Sequence, residues 1–161
     1  MEKPTVFKIL NTLSKAELIF SVKAYGSASK QTTKSPKYPF TAPAIKAALL
    51  WKLGKLSPTS QVYGKLLQDV VALYLYKLSN INSHFSVNYD SEKGCADFVV
   101  GDSRDNSQIA IEVSYGANKD ASQVKTTMKK LSAKYSLVVS QHELAVEDNV
   151  VFVPHKFFFL L

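Results

Sequence analysis

A chain of 161 residues, 46% hydrophobic and 20% charged, is long enough for one good core or for two small ones that share an interface. A single cysteine, Cys95, excludes an internal disulfide framework, and histidines scattered at His84, His142 and His155 offer no zinc-ligand spacing. The net charge of +7 is uneven: residues 1–80 set 12 lysines against Glu2, Glu17 and Asp69, whereas residues 81–161 set seven lysines and Arg104 against ten acids.

This asymmetry reads as two functional surfaces, a basic one and a slightly acidic one. With Arg104 as the lone arginine, bidentate recognition of bases or phosphates is poorly provided for. Contact with duplex DNA would run from lysine to phosphate, salt-sensitive and weak in sequence preference. The opening MEKPTVFKIL lacks the apolar run of a signal peptide. No stretch approaches the roughly 18 apolar residues of a membrane span, so a reducing, cytoplasmic setting without membrane contact is expected.

Val6, Ile9, Leu10 and Leu13 recur at helical spacing and predict an amphipathic helix over residues 4–14. Leu18 to Tyr25 alternates as a strand. Gly26 to Pro36 is rich in Ser, Thr and Lys and reads as an exposed loop, after which Lys37-Tyr38-Pro39-Phe40 returns as an extended segment. Helix, strand, lysine-rich loop and returning strand are the outline of a winged-helix end. The loop would be the wing, presenting Lys30, Lys34 and Lys37 to DNA; the plainer alternative is a solvated surface loop.

Thr41 is the expected N-cap of a helix with Pro43 in its first turn, running to about Leu53 and closed by Gly54. Ser57-Pro58-Thr59-Ser60 opens a longer helix to about Leu78. Its apolar residues (Val62, Leu66, Leu67, Val70, Val71, Leu73, Leu75) cover most of its circumference and predict a central, buried element, in which polar Gln68 and Asp69 stand out. Strands are predicted over His84–Tyr89, Ala96–Val100 and Gln108–Tyr115, with turns short enough for hairpins. An amphipathic helix follows over Asp120–Lys134, with Val124, Met128 and Leu131 inward and Lys125, Lys129 and Lys130 outward. Ser136–Ser140 reads as a buried strand reached by a crossover helix, and Val150–Val153 as a last strand before the aromatic tail Phe157–Leu161, which is expected to pack into the core.

Phosphate-cradling and triad chemistry are absent. No G-x-x-x-x-G-K followed by Ser or Thr occurs, so ATP hydrolysis by this chain alone is not expected, and no G-x-S-x-G elbow is present. Cys95 reads as a small buried side chain, Trp51 and Tyr74 as helix-packing residues, and His84 and His155 as boundary residues.

Asp97 and Glu112 carry the chemistry that remains. They fall on two successive predicted strands, and on the second the pleat puts Glu112 and Ser114 on one face. Carboxylate oxygens so placed suit Mg²⁺ or Mn²⁺. The element order and these positions resemble the PD-(D/E)xK nuclease-like core. More specifically, the chain resembles the carboxy-terminal region that follows the ATPase module in many archaeal and bacterial AAA-type ATPases. The segments that carry this are Lys37-Tyr38-Pro39-Phe40-Thr41-Ala42-Pro43-Ala44-Ile45, Gly64-Lys65-Leu66-Leu67-Gln68, Cys95-Ala96-Asp97-Phe98-Val99-Val100 and Ile111-Glu112-Val113-Ser114.

The resemblance implies an α/β fold: a winged-helix-like element over residues 1–56, then a nuclease-like mixed sheet flanked by helices over 57–161. It implies a divalent cation, Mg²⁺ or Mn²⁺, on Asp97 and Glu112, and an ATPase module in cis or in trans as partner, with duplex DNA or another protein. Two positions depart from the pattern: the helix acid falls on Gln68, beside Asp69, and the strand lysine falls on Ser114. Lys119, Lys125 or Gln123 could reach the site from the next helix. The expected role is a non-ATPase binding module with a degenerate nuclease-like site. The alternatives are a Mg²⁺- or Mn²⁺-dependent DNA endonuclease and a pure protein-interaction domain.

Overall fold

The computed structural model describes residues 3–57, 59–116, 120–141 and 144–160. The first helix, α1 (Lys3–Lys15), forms where the apolar spacing placed it, but it buries none of its side chains whose burial is described, and Phe7 stays 68% exposed. The strand expected over Leu18–Tyr25 contracts to β1 (Lys23–Ala24). Ahead of it, bridges Ile19↔Phe40 and Val22↔Lys37 tie the segment to the extended return at Lys37–Phe40.

The stretch read as an open loop holds a helix, α2 (Ala28–Thr33). Ser27 caps it by accepting from Lys30 N at 3.3 Å, and the Thr32 and Thr33 hydroxyls donate back to Ser29 O. Short polar side chains that can satisfy the backbone locally favour a single capped turn here over a solvated loop.

α3 (Pro43–Lys52) begins with Pro43 in its first turn, but Thr41 is not its cap. The Thr41 hydroxyl instead donates to Glu17 O at 2.6 Å, stitching the helix entry to the end of α1. Gly54, at φ +65°, closes α3 as expected, with Lys55 N returning to Leu50 O. α4 (Ser60–Ile81) is capped by Thr59 and runs one turn further than predicted. Only Val71, Ala72 and Leu75 are fully buried on it, so the expectation of burial on most sides is corrected. The helix lies on one face of the sheet and beside α3, and its outer surface is only partly covered.

The sheet is built from β2 (Phe85–Tyr89), β3 (Phe98–Asp102) and β4 (Ser107–Val113), which pair antiparallel in succession. α5 (Ser122–Leu131) carries the chain back to β5 (Ser136–Ser140), parallel to β4, as the apolar run predicted. A short strand, β6 (Ala145–Glu147), was not foreseen. It pairs antiparallel with β7 (Val150–Pro154), and α6 (His155–Phe158) follows. Seven strands run in the order β1-β2-β3-β4-β5-β7-β6, with β1 parallel to β2 and β7 parallel to β5.

Alternating side chains divide the core between the two faces of this sheet. Val71, Ala72 and Leu75 of α4 pack with Phe98, Ile111 and Val113, joined by Phe20, Val22 and Ala24 from the upstream segment. Val124 of α5 packs on the other face with Ala110, Val138 and Phe152. Of the tail, Phe158 enters the first cluster against Tyr74, whereas Phe157 and Leu160 remain exposed. Among the described residues no helix is long and apolar enough to cross a membrane.

Candidate functional site at Asp97 and Glu112

Asp97 stands just ahead of β3, and Glu112 is the penultimate residue of β4. The register pairs Phe98 with Ile111, so the next position outward brings Asp97 opposite Glu112. The approach to β3 is clamped from both helical layers. From α5, buried Thr127 accepts through its hydroxyl from Ala96 N at 2.8 Å; from α4, Gln68 Nε2 donates to Asp97 Oδ1. Val113 N donates to Asp97 Oδ2 at 3.0 Å, tying the aspartate to the partner strand.

Glu112 is 9% exposed, and its Oε2 has no hydrogen-bond partner among the described residues. Burial first, then the negative charge of Asp97, pushes its carboxyl up to about 8, against the weaker pull of the Asp97 N–H and of Lys37. Burial also raises Asp97, although Val113 N–H, Lys37 and Gln68 all favour its charged form. Two desolvated carboxylates, with no ion pair among the described residues, accept either a proton or a cation between them. Oxygen donors of this kind, one of them orphaned, fit a hard divalent ion such as Mg²⁺ or Mn²⁺.

The other expected site residues take diverse positions. Asp69 turns to α3, where Lys46 Nζ lies 2.7 Å from its Oδ2. Ser114 N donates to Val139 O at 2.9 Å, extending the β4–β5 ladder, and the residue is half-buried. Lys125, offered from sequence as a replacement cation, pairs with Asp148 at 3.0 Å in the β6–β7 turn, and Gln123 is exposed. Lys119 lies outside the described residues.

The three lysines assigned to a wing have three environments. Lys30 pairs with Glu92 at 2.9 Å, and Lys34 is exposed without an ion pair among the described residues. Lys37 lies with its Nζ 4.7 Å from the Tyr89 ring centroid and lines a cavity of about 190 Å³ with Gln68, Asp69, Lys46 and Phe98. Sequence reasoning missed this placement. Its signal was the extended return at Lys37–Phe40, whose pairing with residues 19–22 carries Lys37 toward the sheet.

A second acidic group also escaped the sequence: Asp90, Glu92 and Cys95 bring potential ligand atoms within 4.8 Å of one another. Cys95 is half-buried rather than buried. Lys130, expected to point outward, meets Asp90 at 2.9 Å and Glu92 at 3.0 Å, and with Lys30 it holds the Glu92 carboxyl down to about 2. This cluster therefore has its counter-charges, whereas the pair at Asp97 and Glu112 has no ion pair among the described residues.

The chain is 38% identical over 159 residues to an uncharacterized protein of Methanocaldococcus jannaschii. The match takes in 99% of this chain and 33% of the relative, so the chain spans about a third of the length of the curated relative it matches. No family model and no solved structure matches it.

Proposed function

We propose that this chain is the nuclease-like module of a longer, ATPase-containing protein, and that it acts on DNA with a divalent cation held by Asp97 and Glu112. The observation that carries this reading is the buried Oε2 of Glu112, unpartnered among the described residues, beside the carboxylate of Asp97. The order α4, β2, β3, β4, α5, β5, with β4 and β5 parallel, supports the nuclease-like core. The greater length of the M. jannaschii relative is consistent with a module that works beside others. The winged-helix reading of residues 1–56 draws less support, because α2 stands where the wing loop would be.

When bound, Mg²⁺ or Mn²⁺ would polarise a phosphate oxygen and lower the pKa of its water. The chain's own contribution is to hold the two carboxylates: Gln68 and Val113 N–H orient Asp97, and the strand backbone fixes Glu112 beside it.

A second reading, a docking module without cleavage, is favoured by two side chains. Gln68 is neutral at every pH, and Ser114 offers no ammonium. In that reading the first half of the chain docks on duplex DNA through exposed lysines such as Lys34.

Incubation with supercoiled plasmid and Mn²⁺ or Mg²⁺, together with calorimetric titration of Mn²⁺, separates the two. The nuclease-like reading expects Mn²⁺ binding and nicking, both abolished by Asp97→Ala. A wild-type chain that neither binds Mn²⁺ nor nicks DNA leaves the docking reading.

A further inference from the structure

We propose that Lys37 is the cationic group of the carboxylate site, brought in from the upstream segment to meet the phosphate oxygens of a bound nucleic-acid strand. The inference rests on the nuclease-like reading and adds to it a residue from outside the sheet and its two covering helices. Its first support is position. Lys37 and Gln68 line one cavity, and Gln68 is the residue whose amide holds Asp97. The cavity floor of Phe98, Ala72 and Val22 is apolar, so a charge at its rim is less screened than one in open water.

The second support is how firmly Lys37 is placed. Its backbone is bonded both ways to Val22, at 3.0 Å from its N–H and 2.9 Å to its carbonyl. Its ammonium lies over the Tyr89 ring, and the Tyr89 hydroxyl donates to Ser35 O at 2.7 Å, two residues ahead of Lys37. Ring and lysine are thus held by the same short segment. A cation over an aromatic face keeps its charge while its direction is restricted.

The third support is availability. Lys46, the other lysine lining this cavity, is committed to Asp69, and Lys30, Lys125 and Lys130 each meet a carboxylate. Lys37 is exposed and makes no ion pair among the described residues. An ammonium is a compact point charge with rotatable donors, suited to an oxygen whose charge grows during phosphoryl chemistry.

The test compares wild type with Lys37→Met, which keeps the stem against Tyr89, and Lys37→Arg, with Lys8→Met on α1 as control. Lys37→Met is expected to retain Mn²⁺ binding and thermal stability yet lose nicking about 10²–10³-fold, while Lys37→Arg recovers part of the rate. Wild-type nicking by Lys37→Met overturns the inference and leaves the nuclease-like reading intact. Should wild type not nick at all, that reading fails, and fluorescence anisotropy of a labelled duplex across a salt series decides on Lys37. A salt slope lowered by about one in Lys37→Met, and not in Lys8→Met, sustains its contact with phosphate; an unchanged slope and affinity overturn it.

Discussion

Asp97 and Glu112 face one another across the β3–β4 hairpin, each buried enough that its charged form is disfavoured, and among the described residues neither has an ion pair. Asp97 is at least served by Gln68 and by Val113 N–H, whereas Glu112 leaves one oxygen unmet by any described residue. The fold therefore carries a local electrostatic cost that a cation would remove.

Stability is expected to fall with rising pH because of Glu112. Its folded pKa is raised from 4.5 to about 8, so its contribution is fully present below about 4.5 and is lost as pH rises through about 8. Thermal melts at pH 5.5 and pH 8.5 should show wild type losing stability across this window and Glu112→Gln losing less. At pH 8.5 the variant should be the more stable, by on the order of 1–3 kcal/mol, the cost of a buried group left unsatisfied. Mn²⁺ should raise the melting temperature of wild type at pH 8.5 and leave that of Glu112→Gln unchanged. A wild-type profile flat between the two pH values would contradict the burial argument.

Gln68→Glu should turn the cavity edge into a metal-dependent element of stability. The substitution exchanges the amide that donates to Asp97 for a third carboxylate beside two that already repel. Without divalent ion the variant is expected to melt below wild type at neutral pH, by roughly 1–3 kcal/mol. With millimolar Mn²⁺ the deficit should close, because each added carboxylate is an oxygen ligand. A deficit that persists in Mn²⁺ would mean that Gln68 serves only to orient Asp97.

The sequence made the order from α4 to β5 legible because each element there is long and periodic enough to reveal its type: alternation in the strands, a helical stripe in α5, and an apolar run in β5. Asp97 and Glu112 were legible for a related reason, since the β3–β4 register extended one position beyond the start of β3 brings them opposite one another. Three features were hidden. Helix α2 has six residues, five of them polar, and no apolar stripe, so only its cap at Ser27 marked it. Strand β6 has three residues, too few to show a period. Lys37 reaches the cavity it shares with Gln68 through pairing across some 15 residues, and nothing local to Lys37 states which partner it finds.

Helix α2 is expected to be tethered by surface charge in a salt-dependent way. Glu92 draws Lys30 from α2 and Lys130 from α5 to one carboxylate, and these lysines hold its pKa at about 2. Its contribution is thus present above about 4.5 and is lost as pH falls toward about 2. Because Glu92 is exposed, screening keeps the global effect small. Hydrogen exchange should therefore show faster exchange over Ala28–Thr33 in Glu92→Gln at low salt, with the difference fading at high salt. Equal protection at both salt levels would show that the Ser27 cap and backbone hold α2 without the tether.

Thr127 on α5 should matter to the proposed metal site although it touches neither carboxylate. Its buried hydroxyl accepts from Ala96 N, one residue before Asp97, and the main chain there has not yet entered the sheet ladder. Thr127→Val keeps the shape of the side chain but leaves the Ala96 N–H unpaired in an apolar cluster, at a cost of about 1–3 kcal/mol. A loosened residue 96 frees Asp97 to turn away from Glu112, so Mn²⁺ affinity should fall together with stability. Thr127→Ser, which restores the acceptor at the expense of a methyl group, should recover the affinity more fully than the melting temperature. If Mn²⁺ affinity is equal in Thr127→Val and wild type, Gln68 and Val113 N–H suffice to fix Asp97, and the clamp from α5 serves folding alone.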